Sequence, residues 1–476
     1  MEEALTETAV EKQAAPPEKV IVHLGYPLWR KHTLVAVARA RELQDQGHQV
    51  LVTHCSAAAG TCAVNLSGSP VACAICRSRV KKTAAENGLT LVPLETNYAS
   101  ADLTYSEKRD LAEGVHSAVI SEFRQLPGDG IKTGVIRTVK RRYYANALGL
   151  LTAMKSLVSR ERPDRIEVFN GRHACSRFCL MAARSASIPF NTMEITCKGR
   201  PILFEGHSAH DRVRIQERMK RLPLDLDLAA RYFDRRRRPS VNKFAKKHSA
   251  GFQPPDASGF RKKISVFLSS QDEFEALGRD WKTPFPDYAD VIREACQKYP
   301  DYLFCIRFHP NQASMASDIE TPFRDICALP NAVVYFPLDT ANSYTLVDWS
   351  DVVVTFGSTV TIEACWMGKP AIMLGPSFYD QLDVAYTPGS VDEFLQLLRQ
   401  DLVPRPAQNA ARLAVYQECD GNPMTYVGHD GRKMVPNGVR LERAWLSRIA
   451  RTSDNVFCRL VKSYAKWAAR RQKKAA

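Results

Sequence analysis

Short apolar runs alternate with longer amphipathic stretches along most of the chain. KVIVHLG, Lys19 to Gly25, is an uninterrupted apolar run of strand length, followed by a helical periodicity from about His32 to Gln46 and a second apolar run in HQVLVTH. This is a β-α-β opening. RIEVFNGR, a helical pattern over Ala174–Ala186 and IPFNTMEI repeat it. A second series begins at KISVFLSSQDE, with a strand over Ile264–Leu268, a helix near Tyr288–Lys298 and a strand ending near Phe308. It continues through AVVYF, DVVVTF at Asp351–Phe356, a helix from about Thr359 to Met367, and the short strand AIML. Buried strands alternating with helices predict parallel sheets covered on both faces.

GFQPPDASGFRKK interrupts both periodicities with Pro, Gly and Asp, and reads as a linker between the two series. The predicted organisation is a flexible segment over 1–18, a first Rossmann-like domain over 19–245, a linker over 246–262, a second domain over 263–440, and terminal helices over 441–476. The fold class is α/β, a pair of Rossmann-like domains facing an interdomain cleft. One mixed α/β domain with a long insertion is the competing arrangement.

At 476 residues, with 45% hydrophobic and 25% charged residues, the chain has the composition of an ordinary folded protein of two or three domains. A formal charge of +15 favours an anionic partner, leaving nucleic acid, a membrane surface and phosphorylated small molecules open. Met1 to Pro17 has no apolar signal core, and no apolar run reaches the roughly 18 residues of a membrane span. The expected location is therefore cytoplasmic, with peripheral contact to the inner face of the cell membrane as an option for the tail. Thirteen cysteines scattered through apparent core segments suit reduced thiols better than a disulfide scaffold. Neither G-x-G-x-x-G after the first strand nor G-x-x-x-x-G-K-[ST] occurs, which weakens dehydrogenase and P-loop readings.

Two stretches carry candidate anion chemistry. In FGSTVTIEA, Gly357 permits a tight turn, Ser358 and Thr359 offer hydroxyls, and the amides opening the next helix can face a phosphate; simple helix capping is the plainer reading. Glu363, five residues after Ser358, offers acceptors for sugar hydroxyls, or is an ordinary exposed helix residue. In CIRFHPNQ, Arg307 and His309 alternate from one strand end and share a face if the strand continues. Arg grips diphosphate with a fork of donors and His donates to phosphate, against strand termination with a locally satisfied His.

Together FLSSQDE, RFHPN, LDTANSYTLVDWSDVVVTFGSTVTIEACWMGKPAI and SFYD resemble the GT-B glycosyltransferase superfamily, and more narrowly capsule-polysaccharide synthesis enzymes. The resemblance is good from about Ser265 to Tyr379 and looser in HLGYPLWRKH and EVFNGRH. It implies a transferase that moves a sugar from a nucleotide-activated donor, UDP- or CMP-linked, to a growing glycan or lipid-linked saccharide. It places His309, Ser358 and Thr359 on the donor phosphates, with Arg307 beside them, and Glu363 on the ribose. The hydroxyl pair here is shifted by Gly357, so the individual oxygen contacts are left open. No clear D-x-D ligand pair accompanies these motifs, so no metal and no cofactor are expected. A nucleotide-sugar epimerase is the enzymatic alternative.

For the acceptor side the first domain offers Lys31 and His32 near the opening strand–helix connection, beside His23, and Asn170, Arg172 and His173 after EVF. An inverting direct displacement requires a base for the acceptor hydroxyl, for which Glu205 is placed first, with Glu194 a second carboxylate; a retaining transfer that relies on donor phosphate and positioning needs none, and both courses stay open. Cys55, Cys62, Cys73 and Cys76 fall within 22 positions and include C-A-I-C, but their irregular spacing favours structural thiols over zinc. In the tail, Phe457, Leu460, Val461, Tyr464, Trp467 and Ala468 follow helical spacing among Arg459, Lys462, Lys466, Arg470 and Arg471. That helix either covers the domain junction or lies on an anionic membrane. Nucleic-acid binding through Arg235–Arg238 and the tail is the non-enzyme alternative, disfavoured because no complete arrangement of aromatic platforms or a groove reader accompanies the charge.

Overall fold

The computed structural model describes residues 16–96, 103–126, 134–238, 251–285, 287–315, 317–431, 433–442 and 444–475. Most of the expected 1–18 segment, and the 239–250 stretch that begins the expected linker, lie outside the described residues.

The strands form two sheets. The first contains β1 (Lys19–His23), β2 (Gln49–Cys55), β3 (Thr90–Leu94), β4 (Arg165–Phe169), β5 (Phe190–Ile195) and β6 (Pro201–Glu205), in the order β3-β2-β1-β4-β5-β6. All neighbours are parallel except β5 and β6. The second contains β7 (Lys262–Phe267), β8 (Tyr302–Arg307), β9 (Ala332–Tyr335), β10 (Val352–Thr355) and β11 (Ala371–Met373), in the order β11-β10-β7-β8-β9 and parallel throughout. The apolar runs are strands buried on both faces, as Val20, Ile21 and Val22 in β1 and Val353 and Val354 in β10 are each 0% exposed. Each sheet is wound outward from its first strand in both directions. The direction reverses between β1 and β4 in one and between β7 and β10 in the other, leaving a crevice beyond the carboxyl ends at each reversal.

The cores divide the chain differently from the 19–245 and 263–440 boundaries. Helices Arg212–Arg221 and Leu226–Arg237 bury Ile215, Met219, Ala229, Tyr232 and Phe233 together with Phe267, Val353 and Ala410 of the second domain. Conversely, the chain after helix Ala407–Cys419 returns to the first domain, where Met424, Val427, Ala450, Cys458 and Val461 join its core. The two crossings are tied side by side by Arg218, whose guanidinium grips Asp420 at 2.7 and 2.6 Å. Helices Arg212–Arg221 and Leu226–Arg237 simply present their apolar stripe to the other sheet, whereas Asp420-Gly421-Asn422-Pro423 stands at the second crossing.

Candidate functional site

At the second reversal, β10 runs into Phe356-Gly357-Ser358-Thr359. Gly357 has φ 87°, and a Cβ there would meet the Pro376 carbonyl oxygen at 2.5 Å and Phe274 at 2.9 Å, so the turn closes only with glycine. Ser358 is half-buried and Thr359 exposed. The helix that follows, Val360–Trp366, has only seven residues, so the turn's own hydroxyls and amides, more than a long helix field, are what the site offers an anion. Glu363 is buried at 6% exposure and faces inward, where Arg236 Nε donates to it at 2.6 Å while Arg236 Nη2 reaches Thr359 Oγ1 at 3.5 Å. Burial works against the Arg236 charge, yet the Glu363 carboxylate holds its pKa above the usual arginine value.

Beyond β8, His309 opens a short 3-10 turn. Its Nδ1 accepts from the Asn311 amide at 3.2 Å, and its own amide donates to Gln312 Oε1 at 2.7 Å. A ring that accepts at Nδ1 carries its proton on Nε2, which presets His309 as a donor. Arg307 does not join it. It is 4% exposed, and its guanidinium donates to the Phe336 carbonyl at 2.8 Å, beyond β9, on the opposite side of β8 from β10. The expectation that Arg307 and His309 share one phosphate-facing side is corrected here: the strand ends at Arg307 and the backbone turns at Pro310.

The first reversal is built from different chemistry. Tyr26, Trp29, His32, Phe169 and His173 form an aromatic cluster, with His32 and Phe169 centroids 4.3 Å apart and Tyr26 and Trp29 stacked at 5.0 Å. Asn170, in the left-handed region at φ 66°, turns its amide to Glu194 at 2.5 Å and to His210 Nε2 at 3.2 Å. Glu194 also accepts from the Ile195 amide at 3.0 Å. Burial raises the Glu194 carboxyl above its usual range, against the pull of Asn170, the Ile195 amide and Arg172. Burial pushes His210 down to about 3 and His32 to about 4, with Arg172 adding to the first and Lys31 to the second. Both rings are neutral at physiological pH.

The two reversals face one another across a continuous path. His210, which touches Asn170, accepts from Trp281 Nε1 through its carbonyl at 3.0 Å; Trp281 lies 6.0 Å from Phe274, the ring that borders Gly357. Beside this path lies a cleft of about 430 Å³ lined by five arginines, Arg172, Arg177, Arg184, Arg212 and Arg279. Four of them have carboxylate partners: Arg177 and Arg184 pair with Asp110, Arg212 with Asp380, and Arg279 with Glu113. Arg172 has none within ion-pair distance among the described residues; its guanidinium lies 3.1 Å from His173 Nε2. Burial lowers the Arg172 pKa, with Tyr26 and Glu194 offsetting part of the effect. A half-buried cation without a counter-charge is a place where an anion gains most.

Of the residues singled out by sequence, His309, Ser358, Thr359 and Glu363 stand at the carboxyl edge of the second sheet. His32, Asn170, Arg172 and His173 stand at that of the first. Lys31 is exposed at the start of helix Arg30–Asp45. His23 is buried beneath, bonded to Thr53 and the Cys175 carbonyl. Glu205 is placed elsewhere. It is exposed and pairs with Asn191 at the beginning of β5, the sheet edge opposite Asn170 and Glu194, because β6 runs antiparallel; the following Gly206, not Glu205, lines the cleft.

Three residues of the site escaped the sequence reading. Arg236 lies in the Arg235–Arg238 run, weighed only as a basic surface for nucleic acid. His210 lay in a segment without a motif. Arg124, at φ 55° after helix Tyr105–Phe123, crosses from the first domain to bond Asp272 at 2.7 Å, Ser270 at 2.8 Å and Ser314 at 2.7 Å, pinning the loops that leave β7 and β8. Arginine at a left-handed helix end gives no sequence signal.

Cys55, Cys62, Cys73 and Cys76 line one cavity with His23 and Cys175, but no group of three or more His, Cys, Asp or Glu among the described residues is arranged to hold a metal ion. Burial raises Cys55 to about 11 and Cys62 well above the thiol range, so both are protonated.

The family described as Capsule polysaccharide biosynthesis protein matches residues 262–397, the stretch from β7 through most of helix Val391–Arg399. No curated protein matches the chain. Among solved structures, the beta Kdo 2,4 transferase KpsC of Thermosulfurimonas dismutans is similar at 14% identity over 53% of this chain and 80% of that one, with TM-score 0.34. The UDP-GlcNAc 2-epimerase from Neisseria meningitidis bound to UDP-GlcNAc is similar at 13% identity over 84% and 99%, with TM-score 0.26. A glycosyltransferase from Rickettsia africae is similar at 11% identity over 84% and 94%, with TM-score 0.29.

Proposed function

Taking as premise that the second domain resembles the capsule polysaccharide biosynthesis family, we propose that the protein transfers a sugar from a nucleotide-activated donor to a glycan or lipid-linked glycan acceptor in surface-polysaccharide synthesis. The observation that carries this reading is the facing of two sheet reversals, one furnished with hydroxyls, turn amides and a histidine donor and the other with shifted titratable groups. The donor diphosphate or monophosphate lies against the Gly357–Thr359 turn, with His309 Nε2 donating to it. Arg236 holds Glu363 for the ribose hydroxyls. The acceptor enters the arginine-lined cleft, where an anionic group on it meets Arg172.

Glu194 takes the role expected of Glu205. Its raised pKa brings a carboxylate toward the working pH, where general-base catalysis is most effective. The acceptor oxygen attacks the anomeric carbon as its proton passes to Glu194, and the bond to the donor phosphate breaks with its electron pair leaving on phosphate. His309 and the turn amides stabilise that charge as it develops. No metal step is required by these groups.

The test is to incubate the protein with UDP-, GDP- and CMP-activated sugars and candidate polysaccharide or lipid-linked acceptors, and to identify products by mass spectrometry and NMR. A donor-dependent glycosylated product supports transfer. Interconversion of a free nucleotide sugar without acceptor would assign the site to an epimerase, and selective nucleic-acid binding without donor binding would remove the catalytic reading.

A further inference from the structure

The helix Ala444–Ala475 is apolar on two faces, not one. Its inner face is already used. Ala450, Asp454, Cys458 and Val461 are buried against the first domain, Asp454 accepts from the Ser67 amide at 2.7 Å, and Phe457 lies 6.4 Å from Phe123. On the outside Trp445, Ile449, Val456, Leu460 and Tyr464 are 52%, 53%, 49%, 65% and 53% exposed. At about 100° per residue their spacings of four, seven, four and four keep all five within an arc of roughly 100°, which makes one continuous stripe. Packing on the domain and an apolar outer surface therefore coexist in the same helix.

The charges along the helix point to what covers this stripe. Between Ala444 and Ala475 the sequence has nine Lys and Arg and one acidic residue, Asp454, which is on the buried face. Arg448 and Arg459 are exposed along one flank of the stripe. No helix among the described residues is long and apolar enough to cross a membrane.

We infer that this helix docks the protein on an anionic lipid surface, lying in the interface with Trp445, Ile449, Val456, Leu460 and Tyr464 in the headgroup–acyl boundary and the flanking cations on lipid phosphates. Trp and Tyr suit that boundary because each carries an apolar body and a polar tip. A second copy of the chain is a poorer cover, since it would bring nine further cations against these nine. The docking is independent of the transferase reading, as it uses none of the residues of the cleft.

The experiment is co-sedimentation of the full chain with phosphatidylcholine vesicles, with and without phosphatidylglycerol, read together with Trp fluorescence and light scattering. The wild type should partition onto the phosphatidylglycerol vesicles with a blue shift and bind the neutral ones at least tenfold less. Ile449→Glu with Leu460→Glu should abolish partitioning. Arg448→Gln with Arg459→Gln should weaken it roughly fivefold per charge, an effect that salt mimics. Unchanged nucleotide-sugar binding, or an unchanged far-ultraviolet circular dichroism spectrum if no nucleotide binds, shows each variant folded. Equal partitioning of wild type and the double-Glu variant overturns the proposal. So does a wild-type dimer that the same variant dissociates without any vesicle binding, which would assign the stripe to a second copy, and so does a wild-type monomer that binds no vesicle.

Discussion

The crevice at β1/β4 and the crevice at β7/β10 arise from the same winding, yet they are furnished oppositely. The β7/β10 edge carries a glycine turn that admits no side chain, two hydroxyls, a histidine with a preset tautomer, and a buried carboxylate already matched to Arg236. Glu363 and Arg236 settle one another's charge there. The β1/β4 edge keeps its charges unsettled: Glu194 is raised by burial, His32 and His210 are depressed by it, and Arg172 has no carboxylate partner among the described residues. A settled edge is suited to holding a ligand of fixed charge, and an unsettled edge to moving a proton. In the proposed reaction, one fold separates donor binding from proton transfer.

The sharpest way to break that separation is Glu194→Gln. Turnover should fall about 10²- to 10⁴-fold while donor affinity is unchanged. A parallel loss of donor affinity, measured by titration calorimetry, would merge the two edges into one site. Arg236→Ala should act in the opposite direction, costing the second domain about 2–4 kcal/mol because Glu363 is left buried without a counter-charge; the lower end is favoured since the Arg236 side chain is 32% exposed. Urea unfolding measures this, and Arg236→Lys should recover part of it.

Gly357→Ala adds a Cβ at φ 87° within 2.5 Å of the Pro376 carbonyl and should cost roughly 1–3 kcal/mol. It should also weaken donor binding, while leaving intact the acid response described next.

That response belongs to the first domain. Folded His32 and His210 titrate at about 4 and about 3 against an ordinary 6.5, so the unfolded chain binds more protons between those values. Stability is therefore full above 6.5 and falls as the pH is lowered through that window. Glu194 works oppositely, removing stability as pH rises past the ordinary 4.5, because burial favours its protonated form. Plotting urea midpoints against pH for wild type and His210→Asn should show a shallower acid limb in the variant. An identical limb would remove His210 from the account.

Much of this architecture can be read in the sequence, for a physical reason. Strands buried on both faces are continuous apolar runs, so Ile264–Leu268 and Asp351–Phe356 predict β7 and β10 to within two residues at either end, and Tyr288–Lys298 is helical as its periodicity requires. What the sequence leaves hidden depends on contacts between distant segments. The helices of 212–237 show an apolar stripe but not which sheet it meets, and Arg236 and Glu363 are paired 127 residues apart. Glu205 and Glu194 differ by strand direction: the reversal of β6 puts one carboxylate at the opposite edge of the sheet, and alternation of apolar and polar residues is the same for either direction. The tail helix was read as one stripe because Phe457 and Leu460 both fit helical spacing, whereas packing divides them between two faces.

The central claim, a nucleotide-sugar donor held at the β7/β10 edge, is tested most directly by calorimetric titration of UDP-, GDP- and CMP-sugars into the wild type, His309→Ala and Glu194→Gln without divalent cations. One nucleotide class should saturate the wild type, bind His309→Ala about tenfold more weakly through loss of a hydrogen bond to a charged group, and bind Glu194→Gln as the wild type does. Saturable binding that His309→Ala leaves unchanged, or no binding of any nucleotide sugar, would contradict it.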